Sequence, residues 1–232
     1  MKTNSNSYTI IYSMVIVVVV AFLLAFVFQA LKPAQDANVA LDKKKQLLYA
    51  LNIRDINDAE AVKKYHEVVL ADEIINPNGE VLAPGEQGGE NTGFKLNSKD
   101  TKEGRLALYI CKVNGEEKYI IPVYGMGLWG PISGYISLNA DKETIFGAYF
   151  NHESETAGLG AEIKDSRAWQ AQFQGKKIFG KDGVAIAITV SKKVEDPQRE
   201  VDGVTGATLT SNGVTEMLHT CLGQYLKFLK DK

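Results

Sequence analysis

Residues 10–31 carry no charged side chain, and 14–28 form an unbroken run of Met, Val, Ile, Ala, Phe and Leu. A helix rises about 1.5 Å per residue, so the run spans roughly the 30 Å hydrocarbon core of a bilayer. It exceeds the ~7–15-residue apolar core of a cleaved signal, and no small-x-small cleavage site follows closely. The pattern predicts one retained transmembrane helix over 10–31 behind a short tail, 1–9. Charges then return. Leu41, Leu47, Leu48 and Leu51 are spaced among them over 36–52, as in a helix leaving the membrane. Residues 58–71 read as a second short helix and Asn76-Pro77-Asn78-Gly79 as a turn. Residues 83–104, rich in Gly, Glu, Asn and Lys, read as an exposed, flexible loop.

Strand-like patterning starts at Leu106. The runs 106–113 and 118–124 flank Asn114-Gly115, a hairpin signal. Further strands are expected at 135–138, 144–150 and the β-branched 184–190, with a short helix at 164–174. At the C-terminal end Val214, Met217, Leu218, Cys221, Leu222, Tyr225, Leu226 and Leu229 step by three and one. That is one face of an amphipathic helix. The expected fold is therefore α+β, with a mostly antiparallel sheet and flanking helices behind the N-terminal span. Its divisions are a tail (1–9), the span (10–31), a membrane-proximal helical and loop region (32–104) and a main domain (105–232).

Composition adds little. The 232 residues are 45% hydrophobic and 23% charged, with a net charge of −2, which gives no electrostatic case for nucleic acid. Cys111 and Cys221 lie far apart without metal-ligand spacing; they read as two buried thiols, with a single disulfide left open. His152, Glu153, Glu155 and Glu162 share one stretch but lack the third and fourth donors of a metal site. His66 and His219 fall in helical patterns as packing or surface residues. Gly125-Met126-Gly127-Leu128-Trp129-Gly130 follows a strand and matches G-x-G-x-x-G, the dinucleotide-binding signature. A helix should follow the last glycine; Pro131, Gly134 and strand-like residues follow instead. A glycine-rich corner remains, with Trp129 free to cover a flat ring or to join the core.

The most informative stretch is 202–213, Asp-Gly-Val-Thr-Gly-Ala-Thr-Leu-Thr-Ser-Asn-Gly. Gly203 and Gly206 allow close backbone approach. Thr205, Thr208, Thr210 and Ser211 lead into the amphipathic helix. A helix start offers free N–H groups and a positive dipole end, which suit a phosphate. The competing reading is a plain helix cap, since Ser, Thr, Asp and Asn favour that position.

Asp202-Gly203-Val204-Thr205-Gly206-Ala207-Thr208 is similar to the flavinylation motif of the FMN-binding domain family. In that family the threonine after Gly-Ala carries FMN through a phosphoester. The membrane helix, Gly127-Leu128-Trp129-Gly130, the 152–160 loop and the 205–210 turn occur in this order. Together they resemble the C-subunit family of sodium-translocating NADH:quinone reductases, relatives of the G subunits of Rnf complexes. The resemblance implies a complex of six subunits in the bacterial inner membrane, an electron-carrying role and no catalysis by this chain alone. It implies FMN on Thr208, placed there by a magnesium-dependent flavin transferase that recognises Asp202, Gly203, Gly206 and Ala207. The ring would meet Trp129, Glu155, Thr156, Gly158, Leu159 and Gly160, with Thr205, Gly206, Ala207, Leu209 and Thr210 around the phosphate, and no metal. The lysine count (Lys2 against Lys32, Lys43, Lys44 and Lys45) favours a cytoplasmic domain; the resemblance implies a periplasmic one. The loop departs from the family's Glu-Thr-Pro-Gly-Leu-Gly by Ala157 for proline, which loosens the unfolded chain at that point. An Rnf-type protein and a cofactor-free, membrane-anchored binding domain are the alternatives.

Overall fold

The computed structural model describes residues 5–231. Residues 1–4 of the expected tail, with Lys2, lie outside the described residues. The two helices expected at 10–31 and 36–52 are one, α1 (Asn6–Ala50), which continues through Pro33. Proline removes one backbone hydrogen bond there, and the helix-forming residues on either side carry the chain across. The chain divides into two compact units, Met1–Lys43 and Lys44–Lys232. In the first, the large apolar side chains of the span are exposed, and the helix is long and apolar enough to cross a membrane.

The second unit opens with the last turns of α1, followed by α2 (Asp58–Val68), whose Asn57 cap accepts from the Glu60 N–H while the Glu60 side chain reaches back. Helix was expected to residue 71, but the chain turns extended at Val69 and forms β1 (Val69–Ile75). Tertiary pairing decides this: Ala71 to Ile75 are in register with Ile110 to Leu106 of β3 (Leu106–Val113). With β2 (Val81–Ala83), β4 (Glu116–Met126), β5 (Pro131–Asn139) and β6 (Ile145–His152) they form one sheet in the order β2-β1-β3-β4-β5-β6. All its pairings are antiparallel. Asn114 and Gly115 both have positive φ, 52° and 85°, as a two-residue hairpin of matching twist requires.

The strands alternate, yet both faces of the sheet are buried. Leu106, Leu108, Ile121, Val123, Ile132, Ile136, Ala148 and Phe150 point into the main core. Ala107, Tyr109, Cys111, Ile120, Tyr135 and Tyr149 are buried on the other side. Near that second face Tyr49 lies 5.6 Å from Tyr149, and Tyr65 packs on Phe94. Ser137 donates to the Ala50 carbonyl at 2.6 Å.

The 83–104 segment is not the loose loop that its composition predicts. It contains a 3-10 turn (Gly93–Lys95) and α3 (Ser98–Lys102), and Phe94 and Leu96 are buried. Asp72, fully buried in β1, accepts hydrogen bonds from the N–H groups of Glu86 (3.3 Å), Thr92 (3.0 Å) and Phe94 (3.1 Å). A buried carboxylate needs such donors, and they fix the segment against the sheet.

The main core is closed by α4 (Glu162–Asp165), α5 (Arg167–Ala171), α6 (Thr208–Gln224) and α7 (Leu226–Lys230). The helix expected at 164–174 is thus α4 and α5, broken at Ser166, whose hydroxyl caps the second. Of the expected 184–190 strand only its end survives, in β7 (Thr189–Ser191). It pairs in parallel with β8 (Glu200–Asp202). The apolar stripe packs as its spacing predicts through α6, where Val214, Met217, Leu218, Cys221 and Leu222 all lie in the core. The single helix expected to reach Leu229 instead breaks at Tyr225, whose hydroxyl donates to the Ala107 carbonyl, and resumes as α7.

Candidate functional site

Three segments meet at one end of the sheet: the β4–β5 corner at 127–130, the 152–160 loop after β6, and the turn at 203–207 that starts α6. The corner is a hairpin end. The Gly127 N–H donates to the Gly130 carbonyl at 2.8 Å and β5 follows at once, so no helix opens there. Trp129 is 65% exposed and therefore not a core residue.

The turn is set by β7 and β8. Ser191 is in register with Asp202, and the Gly203 N–H extends the ladder to the Ser191 carbonyl at 2.8 Å. Asp202 is held by its backbone: its carbonyl accepts from the Trp169 indole at 2.8 Å and its N–H donates to Gln172 at 3.1 Å. Gly206 has φ of 74°, and a Cβ there would lie 2.8 Å from Leu159 Cδ2. Leu159 thus sits over the Gly206 backbone, which brings the 152–160 loop to the motif.

The hydroxyl residues separate by role. Thr210 is buried and donates to Glu155 Oε2 at 2.6 Å. Ser211 is buried and accepts from the Val204 N–H at 3.2 Å. Thr205 and Thr208 are exposed. The N-cap of α6 is Ala207, and no side chain caps the helix. By contrast α2 and α3 carry asparagine caps. The run of hydroxyls is therefore not a cap, and α6 starts at the exposed Thr208 with no side chain bonded to its first-turn N–H groups.

In the 152–160 loop, Glu155 is buried and points inward. Its Oε1 accepts from the Trp129 N–H at 2.9 Å and its own N–H donates to His152 Nδ1 at 3.2 Å. Thr156 is exposed, and its carbonyl takes the N–H groups of Leu159 and Ala161, both at 3.1 Å. The Leu159 N–H is thus committed within the turn, and the segment presents its exposed side chain instead. Gly158 has φ of 73° in this turn, and Gly160 is buried against Glu155.

Two clefts of about 370 Å³ flank the 203–205 strip. One is lined by Lys192, Asp202, Thr205, Gly206, Thr208, Ser211 and Asn212. The other lies between Gly158, Glu162, Trp169, Gln172 and the same strip. Lys192 and Asn212 were not legible as site residues. Asn212 is one helical turn beyond Thr208, a spacing that could have marked it. Lys192 arrives only through the parallel pairing. Met126, Leu128, Trp129, Leu159 and Leu209 are large apolar residues left exposed on these same segments. An uncapped helix start with a free hydroxyl, a lysine in the cleft and an exposed apolar surround fit a phosphate ester bearing a flat ring. Among the described residues no group of His, Cys, Asp and Glu could hold a metal ion. Both cysteines are buried free thiols.

Residues 127–223 match the FMN-binding domain family. The C subunit of Na(+)-translocating NADH-quinone reductase from Vibrio campbellii is 32% identical over 83% of this chain and 81% of its own. That of Pseudomonas aeruginosa is 28% identical over 95% of this chain and 93% of its own. Among solved structures, the same reductase's C subunit from Parabacteroides distasonis is 39% identical, with a TM-score of 0.79 over 87% of this chain and 98% of that one. NqrC of Shewanella oneidensis shares the fold at 22% identity and a TM-score of 0.68, over 83% and 97%.

Proposed function

Because the chain belongs to the family of Na(+)-translocating NADH-quinone reductase C subunits, we propose that it carries FMN on Thr208 and relays electrons between redox centres of neighbouring subunits. Bound FMN supplies one- and two-electron transfer, chemistry that no side chain here offers. The observation that carries the reading is the exposed Thr208 at the uncapped start of α6. In attachment, the Thr208 oxygen forms a bond to the flavin-side phosphorus of FAD as the pyrophosphate bond breaks, and AMP and a proton leave. A flavin transferase would perform this step, with Asp202, Gly203, Gly206 and Ala207 as its recognition strip. The phosphoester's negative charge is then favoured by the helix start, a placement worth about 0.3–1 kcal/mol at exposed sites. Lys192 and Asn212 line the same cleft and would stand beside it. Leu159, Trp129 and Leu209 offer apolar surface to the ring, with Thr156, Gly158 and Gly160 shaping the loop beneath it. The chain does not catalyse alone; its partners are the other members of a sodium pump of six subunits. The α1 span would anchor it in the bacterial inner membrane with the domain on the periplasmic side.

The test is co-expression of the full chain with a flavin transferase, read by intact mass and by fluorescence of the denatured polypeptide in a gel. Wild type is expected to gain one FMN group. Thr208→Ala should gain none, while Thr205→Ala and Thr210→Ala keep at least part of it. Flavin on Thr208→Ala would refute the attachment site; a wild type that never gains flavin would refute the flavoprotein reading.

A further inference from the structure

Glu155 and Asp72 are the two buried carboxylates among the described residues. Asp72 has three N–H donors. Glu155 has two partners, the Trp129 N–H at 2.9 Å and the Thr210 hydroxyl at 2.6 Å, and no cation of the described residues within ion-pair distance. An ionised carboxylate can accept about four hydrogen bonds, and burying its charge is costly when it is not fully paired. The surroundings are closed down onto it. A Cβ on Gly127 or on Gly160 would collide with its carboxylate oxygens. Glu155 is thus enclosed at the one point where the corner, the loop and α6 meet.

The two hydrogen bonds do not by themselves need a charge. A glutamine amide could accept from Trp129 N–H and donate to the Thr210 hydroxyl, which would then act as acceptor. The carboxylate therefore does two separable things. It ties the Trp129 corner to the helix that begins with Thr208, and it holds a negative charge in a water-poor place close to both.

We propose that Glu155 is a positioning residue for the flavin, a buried clasp between the Trp129 corner and α6 that limits the motion of the ring and lowers its reduction potential. This rests on the reading that FMN is bound to Thr208. The potential follows from electrostatics: adding an electron near a fixed negative charge is disfavoured, and more so where water is excluded. The clasp follows from geometry: one carboxylate joins the Trp129 backbone to the first turn of α6 through a hydrogen bond at each oxygen.

The experiment uses the full chain co-expressed with a flavin transferase, as wild type, Glu155→Gln, Glu155→Ala and Thr210→Val. Intact mass is expected to show FMN on all four. Glu155→Gln should keep the wild-type ring fluorescence and iodide quenching, because the tie survives, while its midpoint potential rises. Glu155→Ala should show severalfold higher ring fluorescence and stronger iodide quenching as well as a raised potential. Thr210→Val, which cuts the tie and keeps the charge, should loosen the ring with a smaller change in potential. A purely structural role would move stability in all three variants and leave the Glu155→Gln potential at the wild-type value; that result overturns the proposal. So does wild-type ring quenching in both Glu155→Ala and Thr210→Val. If Glu155→Ala does not fold, the other two variants decide alone. Absence of FMN from the wild type removes the underlying reading and this one with it, and is told apart by mass before any potential is measured.

Discussion

Thr208 and Thr210 are two positions apart and have opposite environments. One hydroxyl faces solvent at the uncapped helix start; the other is locked onto Glu155. Sequence alone marks both as candidates, because hydroxyls at a helix start are drawn to capping. The difference arises from a partner 55 residues away, which no local pattern contains. Trp129 was legible only as a choice between ring and core, and its exposure decides against the core. Cysteine chemistry is decided at the same level. Burial pushes the Cys111 thiol well above its usual range, and it also raises Cys221, against a partly opposing hydrogen bond from the Tyr124 backbone. A raised thiol pKa means little thiolate near neutrality, and thiolate is the reactive form. At pH 8 the folded protein is therefore expected to react with a thiol reagent such as DTNB only at the rate of unfolding, and to yield two thiols once denatured. A fast native reaction at either cysteine would contradict the burial.

The long periodic elements were legible because their pattern and their burial coincide. The Asn114-Gly115 hairpin and α6 follow directly from turn chemistry and helical spacing. Elements made by distant contacts were not. Residues 69–75 read locally as the end of a helix, and only pairing with β3 makes them a strand. The 83–104 segment has a loop composition, and its order comes from contacts outside it, with the Asp72 carboxylate taking three of its N–H groups and the Tyr65 and Tyr109 hydroxyls donating to its carbonyls. Asp72→Ala should therefore act on that segment in particular. It leaves three inward-facing N–H groups without acceptors, at about 1–3 kcal/mol each if they stay buried, less where the segment rearranges to water. A lowered urea midpoint is expected, together with faster amide exchange in residues 86–94 than in β4 and β5. Equal exchange in both regions would show that the segment is held by something other than Asp72.

For the complete chain, sidedness matters most, because lysine counting and the family give opposite answers for the domain. Long domains cross membranes largely regardless of flanking charge, which makes the count the weaker guide. Protease added to intact spheroplasts is expected to digest residues 44–232. Protection until the membrane is broken would place the domain, and its cofactor, in the cytoplasm.

A sheet buried on both faces also gives this protein a pair of optical labels of its own. Its two tryptophans, Trp129 and Trp169, both belong to the side that bears the Thr208 motif. Tyr49, Tyr65, Tyr109, Tyr135 and Tyr149 cluster on the other. Indole emission therefore reports that layer alone, with no dye attached, whereas phenol absorbance sums both layers, because Tyr119 and Tyr225 pack in the main core. Since the same strands floor both layers, the two signals should melt at one midpoint in the apoprotein, as a two-state unit requires. With flavin in place, energy transfer should dim the indoles, so their emission would read cofactor loading on the side that bears Thr208.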